Sequence, residues 1–167
     1  MQPDFMCTTP ASELPTALRS VAAAARRRAA RAGDEEVDTG HLLHSLLESD
    51  PEALAAAAPL PHQAARLMGY LVQRSIGFGR QWQGTAEQRT PGRGPSVGQP
   101  ERDPAAQPQC NAAAAGALDR AAGGTGGLAL LAALAADPDS RAVQILLAAG
   151  IDPIAVRARC AGARRTV

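Results

Sequence analysis

The sequence predicts an all-α fold, and three observations predict it. The composition is 46% hydrophobic but only 2% aromatic. Ala dominates the apolar count, and it combines the highest helix propensity with a small volume. Few stretches are rich in Val, Ile or Thr, the residues that suit a pleated sheet. Finally, a helical passage occurs twice. Leu42, Leu43 and Leu46 fall on Leu130, Leu131 and Leu134 at a shift of 88 positions, and Asp50-Pro51 and Asp137-Pro138 follow the two copies.

Taken in order, residues 1–13 read as a lead-in. Pro15 suits a first helical turn, and Leu18, Val21, Ala22, Ala25, Ala29 and Ala32 then share one helical face up to Gly33, a natural C-terminal cap. Asp38 or Thr39 caps a second helix through Leu47, with Leu42, Leu43 and Leu46 inward. Asp50-Pro51 starts a short Ala-rich third helix, which ends before Pro59-Leu60-Pro61. A fourth helix spans about 61–76, with Ala64, Leu67, Met68, Leu71 and Val72 as its apolar stripe.

From Gly77 to Gln107 the chain turns to Gly, Pro, Gln and Arg, the composition of a linker. Four more helices follow, over about 109–122, 126–136, 139–149 and 153–160. Gly150 stops the third of these, with Ile151 placed to cover a Schellman cap, and Asp152-Pro153 opens the last. The expected organisation is therefore 1–13 lead-in, 14–76 first repeat, 77–107 linker, 108–162 second repeat and 163–167 tail.

With 167 residues the chain is one domain, or two small halves sharing a core, and needs no metal or disulfide staple. Its net charge is +1, with 17 basic residues, all Arg, against 16 acidic ones. That balance gives no strong field for nucleic acid or membrane. Cys7, Cys110 and Cys160 are odd in number and form no CxxC pair, as expected of reduced cytosolic thiols. The opening Met-Gln-Pro-Asp carries no signal-peptide pattern, and no apolar run approaches the roughly 20 residues of a membrane span. A cytoplasmic, soluble protein is expected.

A phosphate-binding loop of the ATPase type needs a Lys, and the chain has none. His41 and His44 lie three apart and could face one metal. The other candidate ligands, His62 and the three cysteines, are scattered, so the two read as a helix-start His and a rim His. No cysteine has an activating local context for nucleophilic work. Arg26-Arg27-Arg28, with Arg19 and Arg31, forms a basic face on the first helix and reads as solvated surface balanced by Asp34, Glu35 and Glu36 just downstream. Its alternative is contact with an acidic partner or nucleic acid, although stacking aromatics are absent there. Tyr70, Phe78 and Trp82 lie at the fourth helix end or in the linker, either plugging a seam or anchoring a peptide.

The order of these segments resembles the N-terminal domain of the Clp AAA+ unfoldases of the ClpA and ClpC type. The residues that carry the likeness are Ala29-Ala30-Arg31-Ala32-Gly33, Thr39-Gly40-His41-Leu42-Leu43, and Val143-Gln144-Ile145-Leu146 through Gly150-Ile151-Asp152. The resemblance implies two four-helix repeats related by a pseudo-twofold axis. It also implies a non-catalytic module, without cofactor or metal, that binds proteins or peptides. Such a module would be an adaptor, regulator or ligand-sequestering relative of a Clp unfoldase or protease, with that machine or its substrates as partner. The implied groove or flap residues are Leu14 and Ala22 on the first helix, with Phe78 and Trp82 in the linker. The family's Thr-Glu-His motif carries a glutamate that helps some ClpC-type domains bind phosphorylated arginine. Gly40 stands at that position, and Thr125-Gly126-Gly127-Leu128 in the second copy also lacks a carboxylate. A regulatory nucleic-acid-binding protein using the Arg26–Arg31 face is the alternative.

Overall fold

A computed structural model describes residues 14–75, 107–124 and 126–163. Residues 77–106 of the expected linker, with Phe78 and Trp82, lie outside them. The described residues are mostly helical, with α1 (Thr16–Ala32), α2 (Thr39–Ser49), α3 (Pro51–Ala57) and α4 (Pro61–Ser75) followed by α5 (Ala112–Ala122), α6 (Gly126–Leu134), α7 (Arg141–Ala148) and α8 (Pro153–Ala163). No helix among them is long and apolar enough to cross a membrane.

Local signals set most boundaries. Gly33 adopts φ +74°, which L side chains rarely take, and its N–H and that of Asp34 bond back to Ala30 and Ala29 at 3.2 and 3.0 Å. Asp50 Oδ1 accepts from the Glu52 and Ala53 amides, both at 3.0 Å, and starts α3 at Pro51. Gly150 (φ +75°) closes the turn after α7. There the Ile151 N–H reaches Leu146 O at 2.9 Å, and Ile151 is buried over the turn. Asp152 Oδ1 accepts from Ile154 N at 2.9 Å and opens α8.

The described residues are consistent with the expected all-α class, with little strand: β1 (Glu36–Val37) pairs in parallel with β2 (Gln109–Cys110). Two helix boundaries differ from those expected. Helix α5 begins at Ala112 rather than near 109, because Gln109 and Cys110 pair with β1. Its Asn111 side chain caps the helix by accepting from Ala114 N at 2.8 Å, while Asn111 N bonds Val37 O at 2.9 Å. Helix α6 stops at Leu134, and α7 waits for the Ser140 cap, whose Oγ accepts from Val143 N at 3.2 Å.

The core is one apolar cluster drawing on every helix. Its centre is α2, where every residue from Thr39 to Leu47 is buried, as expected of a helix with neighbours on all sides. α2 packs on α1, α3, α4, α5, α6 and α7, and α6 packs on α1, α2, α3, α5 and α8. Leu42, Leu43, Leu46, Leu130 and Leu131 are fully buried there. Truncating one such Leu to Ala costs about 2–5 kcal/mol. Arg159 of α8 ends α3 by donating to the carbonyls of Ala56 (2.6 Å) and Ala57 (3.1 Å). Those carbonyls have no partner within their own helix.

Candidate partner-binding site and the polar cluster of the second helix

Two features at opposite ends of α2 stand out. At its start, Asp38 forms a capping box in which His41 takes the place usually held by Glu or Gln. Asp38 Oδ1 accepts from His41 N at 2.9 Å, and Asp38 N donates to His41 Nδ1 at 3.1 Å. The other ring nitrogen, Nε2, lies 2.9 Å from Asp34 Oδ2. Asp38 Oδ2 pairs with Arg74 of α4 and has Arg141 of α7 at 3.5 Å. Thr39 Oγ1 accepts from Ala142 N at 3.0 Å, so α2 caps the first turn of α7.

Gly40 makes room for this arrangement. A Cβ there would fall 1.9 Å from Arg74 Nη1 and 3.1 Å from Ile145 Cδ1. The Gly40 position is thus covered by the chain's own Arg74 guanidinium.

The cluster shifts the protonation of its members. Burial pushes the Asp38 carboxyl up, but the His41 hydrogen bond and the Arg74, His41 and Arg141 charges outweigh it and hold it well below the carboxylate range. Burial likewise pushes His41 down, and its bonds to Asp34 and Asp38 more than reverse that, raising it. His44 moves the other way. Burial, then the Arg28 charge, lower it to about 4.

His44 is 3% exposed, so the expected rim His is a core His. Its Nδ1 meets Ser75 Oγ at 3.1 Å, and its Nε2 has no hydrogen-bond partner among the described residues. The small cavity beside it, about 10 Å³ and lined by Arg28, Gly40, His41, His44 and Arg74, has room for a single water. Among the described residues no three His, Cys, Asp or Glu form a group able to hold a metal. Burial pushes the Cys110 thiol above its usual pKa despite Arg26 nearby, the reverse of what a nucleophile requires.

At the other end of α2 lies a groove of about 250 Å³ between α1, the α2–α3 corner and the start of α6. Its lining combines the buried Leu18, Val21 and Leu46 with the exposed Ser20, the half-buried Asp50 and Gly127. A Cβ at Gly127 would lie 1.9 Å from Asp50 Oδ2 and 2.9 Å from Leu46 Cδ1, so a larger residue there would have to displace those side chains.

The residues singled out from sequence fall differently. Leu14 is 8% and Ala22 2% exposed, and both belong to the core. Helix α1 lines the groove through Ala17, Leu18, Ser20 and Val21 instead. The basic run is divided. Arg28 turns inward to Glu48, with Ser45 Oγ at 3.5 Å, while Arg27 and Arg31 remain exposed. The Asp38-x-x-His41 spacing was a readable signal for the capping box. Nothing local pointed to Arg74 or Arg141.

Comparisons with models of known protein families, with curated proteins and with solved structures found no match.

Proposed function

We propose that this chain is a non-catalytic protein- or peptide-binding module with two four-helix repeats of the Clp N-domain kind. In this reading it acts as an adaptor, regulator or ligand-sequestering relative of a Clp unfoldase. Helix packing supports the repeat. Exchanging α1–α4 for α5–α8 turns the pair α1·α2 into α5·α6, α2·α4 into α6·α8, and α3·α6 into α7·α2. It also turns α3·α8 into α7·α4 and α1·α6 into α5·α2, and both members of every pair pack together. The exchange is approximate, because α2 packs on α3 more extensively than α6 packs on α7.

A fold of this kind does not by itself specify a function, which resides in a site. The observation that carries the binding reading is the groove, a concavity built on helices and lined by buried aliphatic side chains together with Ser20, Ser49 and Asp50. The covered position at Gly40 removes support for a phosphoarginine ligand held by a carboxylate there.

The test is an array of short immobilised peptides probed with the full chain and with Ser20→Trp, a change at an exposed residue lining the groove. The proposal expects a reproducible subset of peptides with aliphatic side chains to be retained. Ser20→Trp should lose them while its circular dichroism spectrum and urea midpoint stay as in the parent. Retention that Ser20→Trp leaves unchanged would count against the groove. Binding of a DNA fragment that falls steeply between about 50 and about 200 mM salt, and is lost on Arg27→Ala with Arg31→Ala, would favour the basic-face alternative.

A further inference from the structure

A backbone N–H can only donate, and the N–H of Asp38 donates to His41 Nδ1 at 3.1 Å. That bond requires Nδ1 to be without a proton. The neutral ring therefore carries its proton on Nε2, which faces Asp34 Oδ2 at 2.9 Å. Nδ1 also lies 2.9 Å from Asp38 Oδ1. A second proton would attach at Nδ1 and turn it from acceptor into donor. The bond from Asp38 N–H would then be lost, and a charged bond to the Asp38 carboxylate would form in its place.

We propose that His41 is a proton-operated latch at the start of α2. The neutral ring completes the capping box and leaves the Asp38 carboxylate to the arginines of α4 and α7. The protonated ring grips Asp34 and Asp38 together and loosens Arg74, whose guanidinium lies over neighbouring Gly40.

Only the proton moves, and no bond between heavy atoms forms or breaks. The exchange occurs inside the protein, because His41 is 5% exposed. The charged and titratable groups around the ring are Asp34 and Asp38 from the α1–α2 connection, Arg74 from α4, Arg141 of α7 on the Asp38 carboxylate, and Arg28 of α1 and His44 of α2, which line the same cavity. Burial and Arg74 oppose the second proton, while the two carboxylates favour it and prevail, so the ring changes state above the ordinary histidine value of 6.5.

Arg74 is the output. A cationic ring repels it, and the carboxylate that holds it is then shared with a further donor. Arg74 and Ser75 end α4 just before the linker, so the latch governs how firmly the first four helices hold that exit. The inference does not depend on whether the groove takes a peptide.

The experiment is a pH titration of the isotopically labelled full chain by NMR. It follows the His41 ring nitrogens, the Asp38 amide and the Arg74 Nε–H. The expected result is an Nε2–H tautomer at high pH. As pH falls, the Asp38 amide should move toward its non-hydrogen-bonded shift, and Arg74 Nε–H exchange should quicken, with the same midpoint as the ring. Asp34→Asn should lower that midpoint by about one pH unit or more. His41→Gln, which keeps a side-chain acceptor for the box but cannot titrate, should abolish the Arg74 response. An Asp38 amide that ignores the His41 titration would overturn the latch. So would an Arg74 response that persists in His41→Gln.

Discussion

The hydroxyl oxygen of Thr39 accepts a hydrogen bond from the backbone amide of Ala142 at 3.0 Å, across 103 positions of sequence. The first turn of one helix thereby completes the first turn of another, and the neighbouring Asp38 reaches Arg141 in the same place. The two sets of four helices thus brace each other through a backbone amide that would otherwise be buried without a partner, and through an ion pair beside it.

Thr39→Val keeps the volume but removes the acceptor, leaving the buried Ala142 N–H unsatisfied. A cost of about 1–3 kcal/mol is expected, with Thr39→Ser retaining most of the stability. Urea unfolding followed by circular dichroism measures both. A single transition that moves as a whole is expected, since one core joins all eight described helices.

Asp38→Ala removes a helix cap and leaves Arg74 and Arg141 facing a buried gap. The expected loss is about 3–5 kcal/mol. The folded Asp38 titrates below its ordinary value of 3.8, so its contribution is present above pH 3.8 and is lost as pH falls below it. Urea midpoints measured downward from pH 5 should fall in the parent and be flatter in Asp38→Asn.

The two buried histidines have opposite pH signatures. His44 falls from 6.5 to about 4 on folding, so the unfolded chain binds its proton first and stability declines as pH drops across that window. His41 is raised above 6.5. Its contribution is full below 6.5 and is lost as pH rises through the folded value. His44→Gln should therefore reduce the acid-side loss, and His41→Gln should reduce the loss on the alkaline side. Urea midpoints between about pH 4 and pH 9 separate the two.

Gly40→Ala places a methyl where the Arg74 guanidinium now lies. The displaced guanidinium leaves Asp38, a cost of about 1–3 kcal/mol against the roughly 1 kcal/mol that Ala gains over Gly within a helix. In an Arg74→Ala background the same change should cost less. A double-mutant cycle in urea reads the difference directly.

The helices were legible where the signal was local. Gly33, Asp50-Pro51, Gly150-Ile151 and Asp152-Pro153 end or begin helices through their own backbone preferences, and the structure uses all of them. Gln109 and Cys110 read as helix because their pairing with Glu36 and Val37 is long-range and too short to leave an alternating pattern. His44 read as a rim residue because helical periodicity does not reveal that α2 is surrounded. Arg28 read as solvated because its partner Glu48 lies on a different helix, 20 residues away. Arg74 and Arg141 converge on Asp38 only once the chain has folded, so neither stood out in the sequence.

The most direct test of the binding account is to map where the chain holds a ligand. The uniformly labelled protein would be titrated with the peptide retained most strongly on the array, and amide shifts followed to saturation. The account predicts saturable changes concentrated at residues 17–21, 46–51 and around Gly127. Changes confined to other surfaces, or no saturable change with any retained peptide, would contradict it.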